Sequence, residues 1–157
     1  MSNNKGFTLI ELVIVIVLLG VLATTAAPKF TNLTGAARAA TMKGLQGSIN
    51  AAIDIAHAKA LISGNNTEIR VDSNFYALSG GWPTAAAVGE GTGTTGNGLG
   101  IEDLLAIDWD TSDYRYDEQT GIFSILGAQN PFTCIITYTE SNAVEDRPNV
   151  TADLIGC

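Results

Sequence analysis

The sequence predicts an α+β chain, with a long bent N-terminal helix packed on a small antiparallel β-sheet head. Three observations point there. Phe7 to Ala27 is a 21-residue apolar run whose only charge is Glu11. Apolar residues then recur at helical spacing from Phe30 to Ala60. From Glu68 onward, short β-branched and aromatic runs alternate with Gly, Asn and Asp turns.

The first run has the length of a bilayer-spanning helix, which needs about 20 apolar residues. A charge inside such a span is costly, roughly 2.5–3.5 kcal/mol for Asp, Lys or Arg at the centre. Glu11 sits near the start, where the cost is lower, and still needs a reason. A secretory signal would have a shorter apolar region and a small-residue cleavage site behind it. Thr25-Ala26-Ala27 imitates such a site, but Pro28 would follow the scissile bond.

Pro28 stands where the apolar helix meets a more polar one, and proline bends or breaks helices. Beyond it, Phe30, Leu33, Ala37, Ala40, Leu45, Ile49, Ile53, Ala56 and Ala60 form one face, with Arg38, Asn50 and Asp54 on others. That amphipathic continuation runs to about Leu61 and ends at Ser63-Gly64-Asn65-Asn66.

The head reads as strands and turns. Glu68–Val71 and Phe75–Leu78 flank an Asp-Ser-Asn turn, and Tyr114–Tyr116 and Ile122–Leu126 form a hairpin around Asp117–Gly121. Cys134–Thr139 is a further strand, and Ile101–Ile107 a short helix with Glu102 and Asp103 in its first turn. One antiparallel sheet on the stem is the expected assembly.

Charge is uneven across the 157 residues. Pro28 to Gly89 holds five basic and three acidic side chains, whereas Glu90 to Cys157 holds two basic and twelve acidic. Such a surface does not suit nucleic acid, which wants clustered Lys and Arg. Cys134 and Cys157 are the two cysteines. In an exported chain they form a disulfide worth roughly 3 kcal/mol by loop entropy, and in a reducing compartment they stay as thiols.

Gly6-Phe7-Thr8-Leu9-Ile10-Glu11-Leu12 resembles the leader and methylation motif of type IV pilins and related pseudopilins. Within that family, the run Ala26 to Phe30, the Gly81-Trp82-Pro83-Thr84 patch and the late cysteine pair resemble the pilins of mannose-sensitive haemagglutinin pili. The resemblance implies a leader of residues 1–6 and a membrane and filament-core helix over 7–27. It further implies an amphipathic stem over 28–62 and a head over 63–157 carrying the Cys134–Cys157 loop.

Processing and partners follow from the same resemblance. A prepilin peptidase would cut between Gly6 and Phe7, and the new amine of Phe7 would be N-methylated. Glu11 would then neutralise the Phe7 amine of a neighbouring subunit in the filament core, setting register. The alternative for Glu11 is a carboxylate that snorkels to headgroups. The implied partners are copies of this chain, the inner membrane and an assembly machinery with its own ATPase. Surface attachment and biofilm formation are the implied role, with no cofactor and no catalytic residue.

Other patterns carry less. Gly91 to Gly96 spells GxGxxG, but follows no strand and opens no helix, so it reads as a surface loop. Asp108, Asp110 and Asp113 could hold Ca²⁺, yet lack the EF-hand glycine and glutamate and read better as solvated acids. His57 has no catalytic partner in view. Asn32, Asn65 and Asn149 open sequons by spelling alone. Trp82 and Trp109 either present a stacking surface for a glycan or pack against the stem. A secreted calcium- or sugar-binding module, its stem removed near Pro28, is the reading from another class.

Overall fold

The computed structural model describes residues 7–88, 98–141, 143 and 146–157, the side chains of 27–32 lying outside that description. The chain divides into two compact units, residues 1–37 and 38–157. Its elements are α1 (Leu9–Ser63), β1 (Glu68–Val71), β2 (Asn74–Ser79), β3 (Trp82–Pro83), a 3-10 turn (Ile101–Leu104), β4 (Tyr114–Asp117), β5 (Ile122–Ile125), β6 (Ile135–Thr139) and β7 (Asn149–Asp153).

In the first unit, α1 begins at Leu9 and its apolar side chains from Leu9 to Ala26 are bare. In the second, Met42, Leu45, Ile49, Ile53, Ala56 and Ala60 form a buried stripe at steps of three or four residues. That stripe is shared between two cores. Met42, Leu45, Ile49 and Ile53 join Phe123, Ile125, Ile136 and Tyr138 of the second sheet. Ala56 and Ala60 join Ile69, Tyr76 and Leu78 of the first. The predicted face extended further, but Leu33 is 64% exposed and Ala37 and Ala40 are also exposed. The apolar period continues there on an exposed face of the helix.

Helix α1 stops as its sequence requires. Gly64 takes φ +67° and the amide of Asn65 donates back to the carbonyl of Ala60, so the last turn closes on a left-handed residue.

The head contains two antiparallel sheets where one was expected, ordered β1-β2-β3 and β4-β5-β6-β7. β1 and β2 turn tightly through Asp72, whose φ of 53° is a position that Asp and Asn tolerate. β3 was not predicted, because Trp82-Pro83 is two residues long and proline confines a strand to an edge. β7 was not predicted either. Its Asn-Val-Thr-Ala-Asp run lacks a clear alternation and is held by the backbone ladder to β6, from Ile135–Asp153 to Thr139–Asn149.

The predicted helix over Ile101–Ile107 is only the 3-10 turn Ile101–Leu104, followed by extended backbone at Leu105. Burial of both Ile101 and Leu105 in the main core explains the short turn.

The segment after β3 joins the sheets. Tyr138 Oη donates to the carbonyl of Pro83 at 2.5 Å, Tyr116 Oη to that of Ala85 at 2.5 Å, and the Ala85 amide donates to Glu140. Burial pushes both tyrosine hydroxyls well above their usual range. Gly98 returns the chain to β2: a Cβ there would lie 2.3 Å from the Ala77 nitrogen, so only glycine fits this approach.

The disulfide joins Cys134, just before β6, to Cys157, beyond β7, with Cα atoms 4.8 Å apart. It closes the open end of the β6–β7 pair. At the other end Arg147 reaches the helix, pairing with Asp54 at 3.0 Å and donating to Asn50 Oδ1 at 2.9 Å. Gln46 donates to the Val150 carbonyl at 3.1 Å, so polar bonds on the flank of α1 hold β7 beside the apolar stripe.

Candidate assembly site

Apart from Glu11, Thr24 and Thr25, the N-terminal segment of α1 is apolar, and it is bare among the described residues. Leu9 to Ala26 has a mean hydropathy of 2.6, and none of it is buried. By length and composition it is sufficient to cross a membrane. Phe7 is 88% exposed, and the side chains of Leu9, Ile10, Leu12 and those following to Leu22 are bare. A patch of that size on a folded chain marks a surface that another apolar phase covers.

Glu11 opens the helix. The Thr8 amide donates to Glu11 Oε2 at 2.8 Å and the Thr8 hydroxyl to the same oxygen at 2.7 Å. In return the Glu11 amide reaches the Thr8 hydroxyl at 3.4 Å. Thr8 is thus the N-cap and Glu11 the third helical residue of a capping box, which satisfies amides that a helix start leaves open. The Thr-x-x-Glu spelling of such a box stands in the sequence. A carboxylate held here lies close to the backbone nitrogens of the first turn, within one residue of Phe7.

The other predicted positions fall as follows. Gly6, Lys5 and the Gly91–Gly96 loop lie outside the described residues, as does the side chain of Pro28. Asp108 is consumed locally: its carboxylate accepts from the amide of Asp110 at 3.1 Å and the hydroxyl of Thr111 at 2.6 Å. The Thr111 bond comes first in holding that carboxyl below the usual range. Among the described residues, Asp108, Asp110 and Asp113 do not converge as a metal-binding group.

Trp82 is buried and stacked on His57 of α1, ring centroids 3.6 Å apart and planes 4° from parallel. Trp109 is half-buried beside Phe123 and Tyr116, at 6.0 and 6.2 Å. The two indoles therefore belong to packing and do not form a joint platform. Asn65 Oδ1 accepts from the amide and hydroxyl of Thr67, both at 2.9 Å, so that sequon is a turn.

Residues 1–27 match the prokaryotic N-terminal methylation motif. Over 56 residues the chain is 45% identical to the type IV narrow pilus major component PilA5 of Thermus thermophilus, an alignment covering 36% of this chain and 48% of that protein. The chain thus spans about half the length of the curated relative it matches. No solved structure matches. The chain is type IV pilin-like in its motif and in this similarity. Its α+β architecture, a long N-terminal helix whose second half packs on antiparallel sheets, is consistent with the type IV pilin fold.

Proposed function

We propose that this chain is a structural subunit of a type IV pilus and not an enzyme. The observation that carries the reading is the bare apolar helix opening on a Thr8–Glu11 box, both within the methylation motif. A helix so apolar needs lipid before assembly and the stems of neighbouring subunits afterwards. Cleavage between Gly6 and Phe7 frees an amine four residues from Glu11. In the filament core that amine, N-methylated, is neutralised by Glu11 of a neighbour, because an unpaired charge at such depth is costly. Pro28 allows the stem to change direction between its membrane and head portions.

In this reading the precursor sits in the bacterial inner membrane and the assembled polymer on the cell surface. A prepilin peptidase and methylase process it, and assembly energy comes from a separate ATPase. The finer reading is a pilin of the mannose-sensitive haemagglutinin type, serving attachment and biofilm formation. Its supports are the Ala26–Phe30 run, the Gly81–Thr84 patch and the late cysteine pair. A pseudopilin of a type II secretion system shares the motif. The Cys134–Cys157 disulfide favours the pilin, since pseudopilins by resemblance usually lack it.

Material sheared from intact cells, labelled with antibody against the head and viewed by electron microscopy, tests this. Long labelled filaments are expected. Label confined to the envelope at normal expression, with secretion lost on deletion, would identify the pseudopilin instead.

A further inference from the structure

Away from the stem, the head holds a cavity of about 410 Å³, within the roughly 300–1,000 Å³ range of small-ligand sites. Glu102, Asp103 and Glu118 bring three carboxylates to it, Trp109 and Tyr116 give it aromatic walls, and Arg115 closes one side. Glu102 is only 7% exposed, and its Oε2 has no hydrogen-bond partner among the described residues. A buried carboxylate oxygen left unpaired is costly and is a place where a donor from outside would be held.

Arg115 does not answer that need. Its Nη1 is turned to the backbone, donating to the carbonyls of Ser112 at 2.9 Å, Tyr114 at 2.5 Å and Trp109 at 3.3 Å. A bare metal ion does not fit either, because the carboxylates do not converge as metal ligands among the described residues. What fits is a cation with a body: N–H donors for the carboxylates, charge spread along a short chain, and a surface to lie against Trp109 and Tyr116. The geometry points to a binding site for an alkylammonium group, as on a short diamine or a lysine side chain, held by Glu102, Asp103 and Glu118 against Trp109.

Two sources offer that chemistry. One is a free amine. The other is a lysine of a second copy, and Lys43 and Lys59 of α1 are both exposed. The site itself does not depend on filament assembly, so it is tested first on the full chain dispersed in detergent.

Calorimetric titration with butane-1,4-diamine should show saturable one-to-one binding, with the neutral butane-1,4-diol at least about tenfold weaker. Glu118→Gln and Glu102→Gln should each weaken the diamine by roughly tenfold while circular dichroism is unchanged. Asp113→Asn, on a carboxylate outside the cavity, should leave binding alone. Equal binding of diol and diamine would overturn the proposal. So would diamine affinity indifferent to both cavity variants, which would signify general attraction to an acidic chain. On assembled filaments, undiminished diamine binding assigns the site to a free amine. Binding blocked in the filament and restored by Lys43→Ala or Lys59→Ala assigns it to a neighbour's lysine. No diamine binding in detergent would also overturn the proposal, while leaving the filament reading standing.

Discussion

His57 lies flat on Trp82, the planes 4° from parallel, while its Nδ1 meets the Gly81 carbonyl at 3.0 Å. One side chain of α1 therefore fixes both a ring and a backbone carbonyl at β3, the strand too short to hold itself. An aromatic pair contributes about 0.5–1.5 kcal/mol beyond its buried area, and a net hydrogen bond about the same. His57→Ala should accordingly lower unfolding free energy by about 1–3 kcal/mol. Urea unfolding measures it. A loss of binding to cells or glycans with stability untouched would instead place His57 in a surface site.

Glu102 makes stability depend on pH in the direction opposite to most carboxylates. Burial, foremost, with the nearby charges of Asp103 and Glu118, pushes it from 4.5 up to about 7. The folded chain therefore holds a proton that the unfolded chain has lost between those values. Stability from this group is highest below about 4.5 and declines as pH rises through 7, by up to about 3 kcal/mol. Glu102→Gln should remove the decline, leaving the variant more stable than the parent at pH 8 and similar at pH 4.5. Thermal melts at the two pH values read this out.

Reduction of Cys134–Cys157 releases the open end of the β6–β7 pair. The bond spans 23 residues, for which loop entropy gives roughly 3 kcal/mol. Thermal unfolding with and without reductant should show that loss, with hydrogen exchange rising first in β7. The stem helix should keep its protection.

Glu11→Gln separates capping from charge. The amide oxygen still accepts from Thr8, so the helix start survives, but the partner for a neighbour's Phe7 amine is gone. Surface filaments should fall by at least about tenfold, while processed subunit accumulates in the membrane and the head melts as before. Unchanged filament yield would leave Glu11 as a helix cap alone.

How much of this was legible depends on where the partner lies. The stripe Leu45, Ile49, Ile53, Ala56 and Ala60 declares itself because its partner surface is in the same chain. Leu33 and Ala37 carry the same period and remain exposed, since periodicity reports a face and not what covers it. The strands with alternating β-branched and aromatic residues were found. β7 was not, because a ladder, the Gln46 bond and the disulfide hold it, and none of these leaves a local pattern. Glu102 does sit in a first turn, as its sequence position indicates, but its burial was not legible for a similar reason. An acid in a first turn looks like a partner for the helix dipole until tertiary packing places it at a cavity. The Thr8–Glu11 box, by contrast, is a purely local pattern and is fully spelled out in the sequence.

The most direct test of the central claim is the intact mass and N-terminal sequence of the chain sheared from the cell surface. The account predicts a chain beginning at N-methylated Phe7, two hydrogens lighter than its composition for the Cys134–Cys157 bond. A chain beginning near Pro28 would contradict it, since the apolar helix would then be a discarded signal and no stem would remain to build a filament.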